Sequence, residues 1–126
     1  MQGRVLGITD SPDEFCAKIR ALQDNPIWRE SVWRTFYDVY IKYSVEEARK
    51  RGFSEALVIG SFVDTALNQG GPSLGDILSK SGDSSDIHVF MRRFYEERSK
   101  VVDTHQYNQA PNGMRRVQQW NDLLDR

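Results

Sequence analysis

The sequence has few of the residues that support metal or disulfide chemistry. Its 126 residues include one cysteine, Cys16, and two histidines, His88 and His105. A single cysteine excludes an internal disulfide framework, and no metal-ligand spacing joins it to the histidines. We therefore expect no metal site, a small core position for Cys16, and surface or loop positions for both histidines.

The sequence also lacks an excess of charge of either sign. Seventeen basic and eighteen acidic residues give a net charge of −1, which does not favour a nucleic acid or an acidic membrane as a partner. It has no Gly-rich phosphate loop, nucleophile elbow, HExxH or Walker pattern, so no cofactor is expected. No signal peptide is visible after Met1. The protein is therefore expected to be cytoplasmic, to be exported by another route, or to be a fragment of a longer chain.

The composition is that of a soluble globular protein. With 39% hydrophobic and 28% charged residues, the chain is expected to form one domain spanning residues 1–126. The patterns described below predict a mainly α structure without internal repeats. One short N-terminal strand is the exception, because the run Arg4–Thr9 is apolar, contains β-branched residues and ends in a turn signal. An open strand edge would permit self-association or pairing with a partner chain.

The segment 53–71, FSEALVIGSFVDTALNQGG, is predicted to be the central helix. Its apolar residues surround the whole circumference of a helix: Leu57, Val58, Ile59, Phe62, Val63, Ala66 and Leu67. A helix that is apolar all round is buried. Ser54 and Glu55 indicate its start and Gly70 its end, and the segment is too short and too polar at its ends for a membrane span.

Asp64 is the one carboxylate inside this central helix. A buried carboxylate must be paired or line a cleft, because leaving it unpaired is costly. Arg98, on a later helix, is the expected partner. We favour a structural ion pair, and the alternative is that the two side chains orient a polar ligand.

Capping and stop signals predict the other helices. They begin at Ser11, Asn25, Ser44, Ser73, Asp86, and Asn112 or Gly113. The helix from Asn25 is expected to continue to about Tyr43 and carries an aromatic stripe, formed by Trp28, Trp33, Phe36, Tyr37 and Tyr40. Such a stripe is more often core than a platform for stacking sugars, so we expect a core position.

Asp13 and Glu14 lie in the first turn of the first predicted helix, shortly after Asp10. Carboxylates in this position usually stabilise the helix through its dipole. The alternative is that one of them has a functional role, although no spacing within the sequence indicates it.

Several segments along the chain stand in a recognisable order and spacing: Val5-Leu6-Gly7, Asp13-Glu14-Phe15, Ala48–Gly52, Val63–Ala66, Gly70, Ile77-Leu78, and Phe94 to Arg98. In this order and spacing the chain resembles the later part of the family 46 glycoside hydrolases, the chitosanases, and the related muramidase domains of the lysozyme-like superfamily. The resemblance covers nearly the whole chain. It implies the helical lobe of a lysozyme-like fold, arranged around the central buried helix.

The resemblance also implies roles for individual residues. Asp64 and Arg98 would form an ionic network behind the substrate cleft, and Asp13 or Glu14 would match an acidic residue that binds an amino sugar. Gln69 stands where the family has a histidine and is a candidate substrate-binding residue. The acidic residue expected beyond the matched arginine is replaced by a histidine.

The family's catalytic pair, a general-acid Glu and an Asp, would lie upstream of Met1 and has no recognisable counterpart here. Within the chain, Asp13 and Glu14 are the catalytic candidates. Two hypotheses follow. The chain is a glycoside hydrolase-like domain that acts on an amino-sugar polysaccharide, chitosan or peptidoglycan, or it is a truncated, non-catalytic domain that binds a glycan or a protein.

Overall fold

The computed structural model describes residues 11–104 and 111–126, which are mainly α-helical. They form seven α-helices and one π-helical turn: α1 (Pro12–Leu22), α2 (Pro26–Phe36), the π-helical turn (Tyr37–Ile41), α3 (Lys42–Lys50), α4 (Ala56–Gln69), α5 (Gly71–Lys80), α6 (Ile87–Ser99) and α7 (Asn112–Leu124). The mainly α prediction is confirmed. No strand occurs within these ranges. The strand predicted at Arg4–Thr9 lies outside them and gains no support, so self-association through it stays a prediction, and His105 lies outside them too.

The chain divides into two compact units, Met1–Tyr37 and Asp38–Arg126. The first holds α1 and α2, and the second holds α3 to α7. The boundary falls within the π-helical turn. A single domain over residues 1–126 therefore stays a prediction.

The helices of the first unit begin at the predicted capping residues. Glu14 N–H donates to Ser11 Oγ at 3.2 Å, and the Ser11 hydroxyl donates to Glu14 Oε1 at 3.0 Å, which completes a capping box. Asn25 Oδ1 accepts hydrogen bonds from the N–H groups of Ile27 and Trp28. Both predicted helix starts are confirmed.

Burial in the first unit differs from the sequence-based expectation. Neither α1 nor α2 contains a buried residue, and Cys16 is exposed, so its predicted core position is wrong. The predicted core position is also wrong for two residues of the aromatic stripe, because Trp33 is 62% exposed and Tyr37 is exposed as well, whereas Tyr40 packs partly buried against the core of the second unit. Helical periodicity identifies the residues that share a face, but it does not specify what covers that face.

Two helix boundaries also differ from their predicted positions. α2 ends at Phe36, and α3 begins at Lys42. Ser44 is therefore an interior residue and no cap, and its buried hydroxyl donates to the carbonyl of Tyr40 at 2.7 Å. α5 begins at Gly71 instead of Ser73, since proline is well suited to a first helical turn and Pro72 follows Gly71 directly.

The hydrophobic core of the second unit surrounds α4. This helix packs against α3, α5 and α7, and α6 packs against α5 and α7. The largest fully buried apolar side chains are Phe62, Phe90, Phe94, Leu74, Leu78 and Met91. The predicted central position of α4 is confirmed, but its burial is incomplete, because Leu67 is 44% exposed. No helix within the described ranges is long and apolar enough to cross a membrane.

Gly70 ends α4 as predicted. Its φ of 90° lies in the region that glycine adopts without strain, and its N–H donates to the carbonyl of Ala66 at 2.8 Å. Gly70 thereby fixes the end of α4. Gln69, the last residue of α4, lies next to the last turn of α6.

Candidate functional site

The candidate site joins three helices of the second unit. α4 carries Asp64 and Gln69, α6 carries Arg98, and α7 carries Arg116 and Trp120. These five residues are called the Asp64 network below. Every link between them is a hydrogen bond or an ion pair between side chains.

Asp64 on α4 and Arg98 on α6 meet through their side chains, as Phe62 and Phe94 of the same two helices do. Arg98 Nη2 lies 3.0 Å from Asp64 Oδ2. The Arg98 side chain is 0% exposed, whereas that of Asp64 is 15% exposed. The guanidinium group is thus the more deeply buried partner, and the carboxylate lies at the edge of the core.

Asp64 has two further partners, Arg116 and Trp120, which the sequence reasoning did not assign to it. Arg116 Nε donates to Asp64 Oδ1 at 3.2 Å, and Arg116 Nη2 forms an ion pair with the same oxygen at 3.0 Å. Trp120 Nε1 donates to Asp64 Oδ2 at 3.1 Å. The two donors are four residues apart on α7 and therefore lie on one face of it. This four-residue spacing is visible in the sequence, but it does not identify the acidic residue that this face of α7 contacts.

The hydrogen bonds of Asp64 define what it can do chemically. Oδ2 accepts hydrogen bonds from Arg98 and Trp120, Oδ1 accepts one from Arg116, and an ionised carboxylate is an acceptor only. One negative charge and two positive charges leave a local net charge of +1 (−1 + 1 + 1). Asp64 is therefore suited to holding two arginines in place. It is poorly suited to proton transfer, because its oxygens are already engaged.

Arg98 is held by two acceptors from α4. Burial lowers the pKa of its guanidinium, and the charge and hydrogen bond of Asp64 act in the opposite direction, with a net pKa below the ordinary value. Its Nε donates to Gln69 Oε1 at 2.9 Å. Within the described residues, Arg98 Nη1 is buried without a hydrogen-bond partner. Gln69, predicted to bind substrate, thus uses its side-chain carbonyl to orient Arg98.

A second polar contact between α4 and α6 lies beside the Asp64 network. The hydroxyl groups of Ser61 and Tyr95 are 2.7 Å apart and buried. Burial raises the pKa of Tyr95 above its ordinary value, against the lowering effects of the Ser61 hydrogen bond and nearby arginines. Since Tyr95 precedes Arg98 by about one turn, this contact helps to fix the same segment of α6.

The other predicted site residues lie on α1. Asp13 and Glu14 are exposed, and Glu14 is engaged in the capping box with Ser11. Their predicted roles in substrate binding or catalysis stay predictions. His88 is exposed, as expected. The described part of the chain contains no group of three or more His, Cys, Asp or Glu side chains arranged to hold a metal ion.

No protein-family model matches the chain. The chain is 53% identical, over 99% of its length, to a protein of Niallia circulans named chitosanase. It covers 43% of that protein, so it spans less than half of the length of this relative. The resemblance to the family 46 chitosanases is thereby confirmed, and the chain matches part of the domain of such a protein.

Proposed function

We propose that this chain is the supporting part of a glycoside hydrolase-like domain that acts on, or binds, an amino-sugar polymer. The observation that carries the proposal is the Asp64 network. The Asp64 carboxylate on α4 links a guanidinium group from α6 with a guanidinium group and an indole from α7. For two of these residues, Asp64 and Arg98, the chitosanase resemblance implies an ionic network behind the substrate cleft. The name of the relative favours chitosan as the polymer, with peptidoglycan as the alternative.

Glycoside hydrolysis requires two carboxyl groups with roles that Asp64 does not fill. Cleavage needs one carboxyl group that protonates the leaving oxygen and a second that acts as base or nucleophile. Asp64 supplies neither under this proposal, because its oxygens hold Arg98, Arg116 and Trp120. The catalytic carboxylates are then Asp13 and Glu14, other acidic residues of the chain that the sequence does not reveal as catalytic, or groups outside this chain.

The excess positive charge gives the network a role beyond packing. Arg116 is 48% exposed while it remains bonded to Asp64, so its guanidinium reaches the surface of the second unit. Positive charge beside a carboxyl group lowers the pKa of that group and favours its ionised form. A catalytic or substrate carboxylate placed next to Arg116 would therefore be held ionised.

The proposal is tested by hydrolysis and by binding. The chain is incubated with chitosan and with bacterial cell walls, and the release of reducing sugar, the fall in turbidity and the fraction of bound protein are measured. Hydrolysis that is lost in Asp13→Ala or Glu14→Ala would support catalysis by this chain. Binding of either polymer without hydrolysis is the result expected if this chain is a supporting part of the domain and not its catalytic part. A folded chain that neither binds nor cleaves either polymer would overturn the proposal.

A second function, binding without catalysis, is favoured by an open groove in the first unit. The groove has a volume of about 430 Å³ and is lined by Gln23, Trp28, Arg29, Val32, Trp33 and Phe36. The rings of Trp33 and Phe36 are stacked, with centroids 6.2 Å apart and an interplanar angle of 14°. Exposed aromatic rings with polar neighbours suit a glycan or an apolar protein segment.

Titration of the chain with chitosan oligosaccharides tests this second function. Binding in the groove should change the tryptophan fluorescence and should be weakened by Trp33→Ala. Val89→Ala serves as the control, since Val89 is an exposed apolar residue that neither lines this groove nor belongs to the Asp64 network. Equal binding by wild type and Trp33→Ala would exclude the groove as the glycan site.

A further inference from the structure

A close contact lies one helical turn before Asp64 on α4, between Gly60 and the ring of Trp120. A Cβ atom at Gly60 would lie 2.9 Å from Cη2 and 3.3 Å from Cζ3 of Trp120. The first of these distances is too short for a contact between carbon atoms, so a side chain at position 60 would require the indole to move. Position 60 therefore has no room for a side chain while the indole occupies its present place.

The same indole reaches Asp64. Trp120 Nε1 donates to Asp64 Oδ2 at 3.1 Å, while its six-membered ring lies against Gly60. Because Gly60 and Asp64 are four residues apart on α4, they lie on the same face of it. The indole is rigid, so a displacement of its six-membered ring at position 60 would also displace the N–H group that meets Asp64.

A separate contact fixes the first turn of α7. Asp103 Oδ1 accepts from the N–H of Gly113 at 2.8 Å, and Asp103 Oδ2 accepts from the N–H of Met114 at 3.1 Å. These bonds satisfy backbone donors that a helix start leaves without partners. α7 is thus held at its first turn by Asp103 and near its middle by the Gly60 contact, and Arg116 lies between these two points.

We propose that Gly60 and Trp120 are positioning residues for Asp64. The missing side chain at Gly60 admits the indole, and the indole N–H fixes the Asp64 carboxylate so that it holds Arg98 and Arg116 together. The importance of this arrangement for an amino-sugar polymer rests on the proposed function, but the arrangement itself can be tested without a substrate.

The test follows the indole N–H signals of the ¹⁵N-labelled chain by NMR. The chain has three tryptophans, and the Trp120 signal is the one that disappears in Trp120→Phe. In Gly60→Ala we expect this signal to shift and its hydrogen exchange to become roughly tenfold faster or more, as for the loss of one hydrogen bond to a charged group. Gly71→Ala is the matched control, because a Cβ there meets nothing within 4 Å.

A double variant separates positioning from general damage. Phenylalanine has no counterpart of the indole atoms that meet position 60, so Gly60→Ala should not lower the melting temperature further in a Trp120→Phe background. This comparison remains decisive if Gly60→Ala alone does not fold. An unchanged Trp120 signal in Gly60→Ala, or additive losses in the double variant, would overturn the proposal.

These outcomes are independent of the proposed function. If the signal shifts as expected and the chain neither binds nor cleaves chitosan or cell walls, the positioning stands and the proposed function fails. If the chain binds or cleaves a polymer and the signal does not move, the proposed function stands and the positioning fails.

Discussion

The two units of the chain contain the same kind of element but differ in what supports it. α1 and α2 in the first unit begin at well-formed caps, yet neither contains a buried residue. α4 and α6 in the second unit bury several large side chains and share the bonds of the Asp64 network. Local signals are therefore sufficient to specify a helix, whereas burial depends on which surface the rest of the protein offers.

The difference has an energetic consequence. The first unit spans Met1–Tyr37, and domains below about 40 residues usually need a disulfide, a metal or an interface to be stable. Short helices are marginal without tertiary packing. We therefore expect the second unit to provide most of the stability of the chain.

The largest effect should come from the core of the second unit. Phe94 is completely buried, and its ring lies 5.0 Å from that of Phe62 between centroids. We expect Phe94→Ala to lower the free energy of unfolding by about 3–5 kcal/mol, because it removes a large apolar side chain and leaves a cavity. Urea unfolding measures this loss.

Trp33→Ala in the first unit is the matched control for the core substitution. Its side chain is mostly exposed, so its removal should change the free energy of unfolding by no more than about 0.5 kcal/mol. Similar losses for Trp33→Ala and Phe94→Ala would remove the contrast between the units.

The next effect should come from the Asp64 network. Asp64→Asn leaves the charge of Arg98 buried without a counter-ion, at a cost of about 3 kcal/mol or more. Adding Arg98→Met removes the unpaired charge and should recover most of the loss. Thermal unfolding of the single and double variants measures both. A wild-type melting temperature for Asp64→Asn would refute the pairing.

A smaller loss is expected at the buried hydroxyl pair. Tyr95→Phe leaves the hydroxyl of Ser61 without its partner on α6, at a cost of about 1–3 kcal/mol. Tyr95→Phe combined with Ser61→Ala should be less destabilised than Tyr95→Phe alone. Chemical unfolding of the two variants checks the difference, and equal stabilities would show that the Ser61 hydroxyl finds another acceptor.

The smallest effect concerns Glu47 on α3. Burial alone would raise its pKa, but the hydrogen bonds of Tyr43 and Lys50 and the charges of Lys50 and Arg51 lower the pKa below the ordinary 4.5. A carboxyl group whose pKa is lower in the folded state stabilises the fold above its unfolded pKa, and this contribution is lost as the pH falls through the folded pKa.

Glu47→Gln should therefore reduce stability at neutral pH by less than about 1 kcal/mol, as is usual for ion pairs near the surface. Urea midpoints measured from neutral to acidic pH should converge with those of the wild type once Glu47 is protonated. A difference that stays constant or grows towards acidic pH would contradict the assignment.

The sequence was informative about several locally determined features, although two of the predicted helix starts were wrong. The caps at Ser11 and Asn25 and the stop at Gly70 depend on neighbouring residues, and all three were predicted correctly. The expected pairing of Asp64 with Arg98 relied on the single carboxylate within the apolar central helix, because a buried carboxylate needs a positively charged partner.

The missed features depend on packing between distant segments. Arg116 and Trp120 follow Asp64 by 52 and 56 residues, and they meet it only because α7 packs against α4. The amphipathic pattern of α7 does not reveal that a glycine on α4 leaves space for the indole. The exposure of Trp33 was missed for the same reason, because periodicity does not identify a partner surface.

Amide hydrogen exchange of the native chain tests the contrast between the two units most directly. Exchange reports local opening separately from global unfolding. We expect the amides of α4 and α6 to exchange only through global unfolding, and those of α1 and α2 to exchange with far lower protection. Protection of α1 and α2 equal to that of α4 would contradict the conclusion that the second unit, with its core and the Asp64 network, carries the stable structure.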